Sequence, residues 1–485
     1  MATNMTPRVS RSLSALLLSV AVWSGCAVGP NYRRPTVDVP VTYRDAPSEA
    51  PASSAGQDVT PPAPQPTAAS LGDEKWWDVF QDEELRNLIR TALRNNYDVR
   101  IAAARVLEAQ AQLGITRADQ YPSLSVAGAV ADQRSPRIGP IPSYEVSLGQ
   151  VTASAAWNLD FWGRYRRATE AARANLLANG WAQKQVIATL VANVATAYFQ
   201  LRQLDLQLEI SKRTLGSRSE SLKLTQTLEQ HGLGSLLDVR QSEQLVYTAA
   251  EEVPDFERQI AQQENALSLL LGRNPGDIPR GLKLTEQPHP PEVPAGLPSS
   301  LLERRPDIRE AEQSLIAANA QIGVARSAYF PQISLTGSAG FETPALTNLF
   351  TGPAGLWNFG ASLSQPIFEG GRIKSNVRFT EAQRKQFLLA YEQTIQVSFR
   401  DVSNALVAYR KNREFRVQQE QLLKSAQDAA RLSEVRFQAG TTDYLEVLTN
   451  ETNSFGAELG LAQAEGNELI ALVQLYQALG GGWQE

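Results

Sequence analysis

The chain has 485 residues, with 46 Lys+Arg against 51 Asp+Glu, two histidines and a single cysteine. A net charge of −5 without any run of five basic residues speaks against a nucleic-acid partner, and two His with one Cys cannot furnish a His/Cys metal site or a thiol–imidazole pair. Beyond residue 30 no stretch of about 18 apolar residues occurs, which excludes a helical membrane transporter.

Residues 1–25 carry Arg8 and Arg11 and then an apolar stretch from Leu13 to Trp23, the layout of a secretory signal peptide. The stretch ends Trp23-Ser24-Gly25-Cys26, which resembles a bacterial lipobox whose cysteine is acylated, with Trp23 standing where an aliphatic residue is usual. Ala27, not Asp, follows the cysteine, and by the same resemblance this favours sorting to the outer membrane. Residues 26–72 then form a lipidated N-terminus and a Pro/Ala-rich strap. Eight prolines between Pro35 and Ser70 leave too little apolar surface to order such a segment. The folded body begins near Trp76-Trp77.

That body is a tandem duplication. A shift of 209 residues lays Asp98-Val99-Arg100 over Asp307-Ile308-Arg309 and Ala111-Gln112-Leu113-Gly114 over Ala320-Gln321-Ile322-Gly323, with 11 identities in the 31 positions from 98 to 128. A shift of 208 then pairs Gly163-Arg164 with Gly371-Arg372, Gly232 with Gly440, Leu237 with Leu445 and Leu271-Gly272 with Leu479-Gly480. The copies occupy 73–275 and 300–485, joined by a linker at 276–299. Such a repeat outranks any local motif.

Each copy reads helix, strand, loop, strand, very long helix, turn, helix. Val151, Ala153, Ala155, Trp157, Leu159 and Phe161 alternate with polar residues, as do Ile333, Leu335, Ala339 and Phe341, and Trp357, Phe359, Ala361 and Leu363. Leu124, Val126 and Val130 follow the same rhythm less cleanly. Runs of about 9–11 residues, apolar on one face, suit membrane-spanning strands, and equally a half-buried soluble sheet. Four strands cannot close a barrel alone, so the membrane reading requires oligomerisation.

The helices carry a sevenfold pattern. Ile187, Val194, Leu201, Leu208, Leu215 and Leu222 keep it in the first copy. Leu388, Ile395, Val402, Tyr409, Leu423, Ala430 and Phe437 keep it in the second, with Arg416 interrupting. A sustained heptad implies supercoiling against neighbours, over a helix of about 100 Å from Tyr165 to Gln230. Glycine turns follow each long helix, at His231-Gly232-Leu233-Gly234-Ser235 and Ala439-Gly440-Thr441-Thr442-Asp443. There is no phosphate-binding loop, since Leu270-Leu271-Gly272-Arg273-Asn274 lacks GK[ST], and no convergent polar cluster of the kind an enzyme needs.

Taken in order, Val28-Gly29-Pro30-x-Tyr32-x-x-Pro35, Trp76-Trp77-x-x-Phe80-x-Asp82, Arg304-Arg305-Pro306-Asp307-Ile308-Arg309 and Phe437-x-x-Gly440 resemble the outer membrane factor family, in its OprM/NodT lipoprotein branch of TolC-like channels. The resemblance implies a mixed α+β fold: a homotrimer whose four strands per chain form a 12-stranded outer-membrane β-barrel, continued by a long coiled-coil helical barrel in the periplasm. It implies a passive exit duct of a tripartite efflux pump for drugs or small solutes, working with a periplasmic adaptor and an inner-membrane RND-type transporter. A type I protein-secretion channel and a heavy-metal efflux duct share the architecture and stay open. No cofactor is implied beyond covalent lipid on Cys26. By the same carry-over, Gly232, Leu233, Gly234, Gly440 and Thr441 are adaptor-docking tips, and Asp443, Leu445 and Thr449, with Asp238 and Arg240 nearby, line a periplasmic gate. Family members often have aspartate where Thr449 stands, so the resemblance implies here either a looser closed state or an acidic ring built from Glu446 or Glu451.

Overall fold

A computed structural model describes residues 27–40, 43, 70–288, 296 and 298–484. Cys26, the signal peptide and most of the strap lie outside the described residues. After one turn of helix, α1 (Trp76–Val79), come α2 (Glu83–Asn95), α3 (Tyr97–Ala118), β1 (Ser123–Ser135), β2 (Tyr144–Leu159), α4 (Arg164–Gln230) and α5 (Leu236–Leu270). The second copy supplies α6 (Pro298–Arg304), α7 (Pro306–Ser327), β3 (Gln332–Thr343), β4 (Gly355–Ser364), α8 (Arg372–Gln438) and α9 (Tyr444–Ala478).

The duplication is preserved to the residue in the three longest helix pairs. α3 and α7 both have 22 residues, α4 and α8 both have 67, and α5 and α9 both have 35. The start of α7 lies 209 residues after that of α3, and α8 and α9 follow α4 and α5 by 208. No described helix is long and apolar enough to cross a membrane.

The chain divides into two compact units, each drawing on both copies. One comprises residues 1–36, 105–180 and 310–392. It holds a single antiparallel sheet in the order β1-β2-β3-β4, so the two copies meet at the β2–β3 ladder. A small core of Ala171, Ala174, Ala317 and Ala320 lets α4 and α7 approach closely, and Trp162 stacks on Phe330 with centroids 4.7 Å apart. Arg167 fastens the segment that follows Cys26. Its guanidinium donates to Asn31 Oδ1 at 2.7 Å and to the carbonyls of Val28 and Gly29, while Asn319 Nδ2 donates to the Pro30 carbonyl at 2.9 Å. Arg34 Nε lies 3.2 Å from Glu312, whose carboxylate also accepts from the Tyr32 hydroxyl.

The other unit comprises residues 37–104, 181–309 and 393–485 and contains the main core. The sevenfold positions Val194 and Leu201 of α4 and Val402 and Tyr409 of α8 are buried there with Leu472, Leu475 and Tyr476 of α9. Leu85, Leu88, Ile89 and Ala92 present one buried face of α2 at helical spacing. Asp82 caps that helix and is 1% exposed. Its carboxylate accepts from the backbone of Glu84, Leu85 and Leu282, from Gln287 Nε2 and from the Tyr198 hydroxyl at 2.7 Å. Burial, with the hydrogen bond to Asp82 second and the Asp82 charge third, pushes the Tyr198 phenol well above its ordinary range. One buried carboxylate thereby ties α2, α4 and the inter-copy linker together.

Candidate functional site

Through the middle of the sheet, the register sorts polar and apolar side chains onto opposite faces across all four strands. One cross-strand row runs Ser125, Ser154, Ser338, Asn358, and its neighbours run Ser123, Ala156, Thr336, Gly360 and Ala127, Thr152, Gly340, Leu356. Asn358 Nδ2 donates to Ser338 Oγ at 2.8 Å, and the Ser334 and Ser362 hydroxyls lie 2.7 Å apart. The intervening rows are apolar: Val126, Ala153, Ala339 and Trp357, then Leu124, Ala155, Gly337 and Phe359. Leu124, Val126, Trp357, Phe359 and Leu363 are exposed. Because strand side chains alternate with period two, a single register fixes all four strands together. A sheet with one apolar face and one hydroxyl-lined face is suited to lipid on one side and water on the other.

After the C-terminal ends of the long helices, the two glycine turns have the same geometry. Gly232 and Gly440 take φ of 72° and 71°, the left-handed region that costs any L side chain energy. Leu233 N donates to the Leu228 carbonyl and Gly232 N to that of Glu229; Thr441 N donates to Arg436 and Gly440 N to Phe437. These are the paired bonds of a Schellman stop, which satisfies the last helical carbonyls. A Cβ added at Gly232 or Gly440 meets nothing within 4 Å. Leu233 is 77% exposed, Gly234 is half-buried against Leu228, and Thr441 is exposed with its hydroxyl donating to the Arg436 carbonyl. The turn ends thus present open apolar and small surface.

The residues singled out as a gate have distinct surroundings. Asp238 completes a capping box with Ser235 at the start of α5. Arg240 is exposed and donates to Glu243 at 2.6 Å, which holds its guanidinium more firmly protonated. Asp443 is the N-cap residue of α9 but makes no side-chain capping bond. Leu445 is exposed, and the Thr449 hydroxyl donates back to the Leu445 carbonyl at 2.8 Å. Glu446 is engaged by Arg436 at 2.7 Å and by the Thr442 hydroxyl. Asp443, Leu445 and Thr449 therefore share the first turns of α9, while Asp238 and Arg240 occupy the equivalent turns of α5.

Sequence reasoning missed the seam between α4 and α9 that runs up from these turns. Tyr444, Glu451 and Glu458 recur every seven residues along α9, and Phe455 lies between the last two. The Tyr444 hydroxyl lies 2.8 Å from that of Ser242, which itself donates to Thr225. Glu458 pairs with Arg213, and the Arg218 guanidinium sits 4.9 Å over the Phe455 ring. Arg218 is 4% exposed and donates from Nη1 to the Leu245 carbonyl, while its Nε and Nη2 have no hydrogen-bond partner. Burial lowers the affinity of Arg218 for its proton and raises the Glu451 carboxyl above its ordinary range. The Arg218 charge offsets the Glu451 shift only in part, and Glu434 adds to it. A shift of 208 residues sets Arg218 over Ala426, and that break in the repeat is the signal that could have found it.

The described residues contain no group of three or more His, Cys, Asp or Glu able to hold a metal ion. Comparison with known proteins gives one consistent result. The family model described as outer membrane efflux protein matches residues 88–273 and 297–481. The probable efflux pump outer membrane protein TtgC of Pseudomonas putida is 36% identical, over 98% of this chain and 97% of its own. The cation efflux system protein CusC of Escherichia coli is 34% identical, over 95% and 97%. The open-state crystal structure of the MtrE outer membrane channel of Neisseria gonorrhoeae superposes with a TM-score of 0.84 at 32% identity, covering 95% of this chain and 99% of that one.

Proposed function

The chain belongs to the outer membrane efflux protein family, and from that premise we propose how its parts serve as the outer-membrane exit duct of a tripartite efflux system. Three copies join edge to edge, β4 of one against β1 of the next, so that twelve strands close a barrel and no sheet edge is left facing lipid. The observation that carries this reading is the single register that, through the middle of the sheet, puts the hydroxyl and carboxamide rows on one face and Trp357 and Phe359 on the other. The hydroxyl face lines the water-filled passage and the Trp357–Phe359 face meets lipid. Lipid on Cys26 anchors the N-terminus, which Arg167 and Asn319 hold beside the sheet-bearing unit.

The exposed glycine turns receive a periplasmic adaptor, which couples the duct to an inner-membrane RND-type transporter. The chain itself is a passive conduit with no bound cofactor, and the transporter selects the drug or small solute. Asp443, Leu445 and Thr449 narrow the passage at the turn end, with Asp238 and Arg240 close to them.

Dye and drug accumulation in a strain lacking the gene tests this reading. Wild type restores efflux, whereas Leu233→Asp with Thr441→Trp reaches the outer membrane in equal amount but leaves accumulation high. Full rescue by that variant removes the turns from docking. Unchanged accumulation on deletion, with loss of a secreted protein from the medium, reassigns the duct to protein secretion.

A further inference from the structure

We propose that Glu342 sets the charge preference of the outer mouth of the duct. The inference rests on the channel-wall reading above and extends it to which solutes pass that mouth most readily. Across all four strands, the polar face of the sheet carries hydroxyls, carboxamides and small or apolar side chains, with one charged residue among them. That residue is Glu342, in the row Ala129, Gln150, Glu342 at the loop end of β3. It is exposed and has no hydrogen-bond or ion-pair partner among the described residues. From Gln332 to Gln365, through β3, the following loop and β4, no other residue is charged.

The neighbouring charges do not cancel it. Asp132 belongs to the opposite face, and Arg134 and Glu145, also on that face, lie 3.5 Å from one another. Arg137 follows the end of β1 and donates to the Gly139 carbonyl. Six strand residues, about 20 Å, separate Ala129 from Ser135 before Arg137 is reached. That distance exceeds the ~8 Å screening length of physiological salt. Three copies thus contribute three uncompensated carboxylates to one otherwise neutral cross-section, which concentrates cations and disfavours anions there.

Thiol labelling from outside intact cells reads this field locally, whatever the state of the far end of the duct. Cys26 is the only native cysteine, so unsubstituted protein supplies the background. Thr152 lies on the polar face, one row inward from Glu342, and Val151 lies on the apolar face. In Thr152→Cys, a cationic methanethiosulfonate reacts faster than an anionic one. Adding Glu342→Gln lowers that rate ratio about twofold or more, and 1 M salt, with a screening length of ~3 Å, does the same without the substitution. An unchanged ratio, with Thr152→Cys labelled and Val151→Cys protected, overturns the role of Glu342 and leaves the wall intact. Labelling of Val151→Cys but not Thr152→Cys overturns the wall reading itself.

Discussion

Glu451 and Arg218 approach each other in the seam between α4 and α9, each poorer in water than a charged group prefers. Burial outweighs the attraction of Arg218, so the folded chain favours protonated Glu451. A raised folded pKa gives stability that is full below the unfolded carboxyl pKa, near 4.3, and is lost as pH rises through the folded value. Glu451→Gln is therefore expected to raise the thermal midpoint at pH 7 and to leave it unchanged near pH 4, measured on the purified protein in detergent. A lower midpoint at pH 7 would mean that pairing with Arg218 outweighs desolvation. Glu451 was legible in the sequence as an acidic residue just past the second turn. Its neighbour was not, because Arg218 lies 233 positions away and only the packing of α9 on α4 brings them together. Asp238 had a plainer local signal, since Ser235-x-x-Asp238 ahead of an apolar run is a capping pattern.

Among the elements, the two glycine turns and the uninterrupted helices separate conformational need from mere tolerance. Gly440 occupies the left-handed region, so Gly440→Ala is expected to cost about 1–2 kcal/mol although its Cβ meets no atom. Gly216, inside α4 with open space around its Cα, behaves oppositely: Gly216→Ala gains about 0.5–1 kcal/mol. Paired denaturant titrations of the two variants check both signs, and equal shifts would deny the turn its special geometry. The long helices were legible because a heptad held from Ile187 to Leu222 has no other reading. Element ends were less so. The alternation of β2 continues to Phe161, yet the strand ends at Leu159, where Asp160 turns aside to accept from the Arg166 backbone and side chain. Conversely, α5 continues unbroken past Pro254, which is exposed.

For the whole molecule, the decisive pattern is a sheet with two open edges and one apolar face. At mid-sheet, Phe359→Arg places a guanidinium on the face assigned to lipid, at a cost of about 2–4 kcal/mol. Its neighbour Asn358→Arg points the same charge the other way. Gel mobility of unheated outer-membrane extracts should show trimer for Asn358→Arg and its loss for Phe359→Arg. The reverse order would turn the sheet inside out. Alternation in the sequence revealed the faces strand by strand. It could not reveal that β2 pairs with β3, because strand partnership across the 208-residue repeat is a long-range choice invisible to local periodicity.

That partnership has a genetic consequence. A gene cut between Gln287 and Pro298 falls at the natural joint of the duplication, yet it does not yield two self-sufficient products. Each fragment would carry half of the sheet and half of the Val402–Leu201 core, because both compact units take strands or helices from both halves. Asp82 and its partner Tyr198 would stay with the first fragment, whereas Tyr476, which donates to the Glu74 carbonyl, would leave with the second. The halves are copies in descent but complements in folding, so they need to be made together in one cell. An ancestral single copy would have had to find a second molecule of itself to supply what its descendant now carries on the same chain.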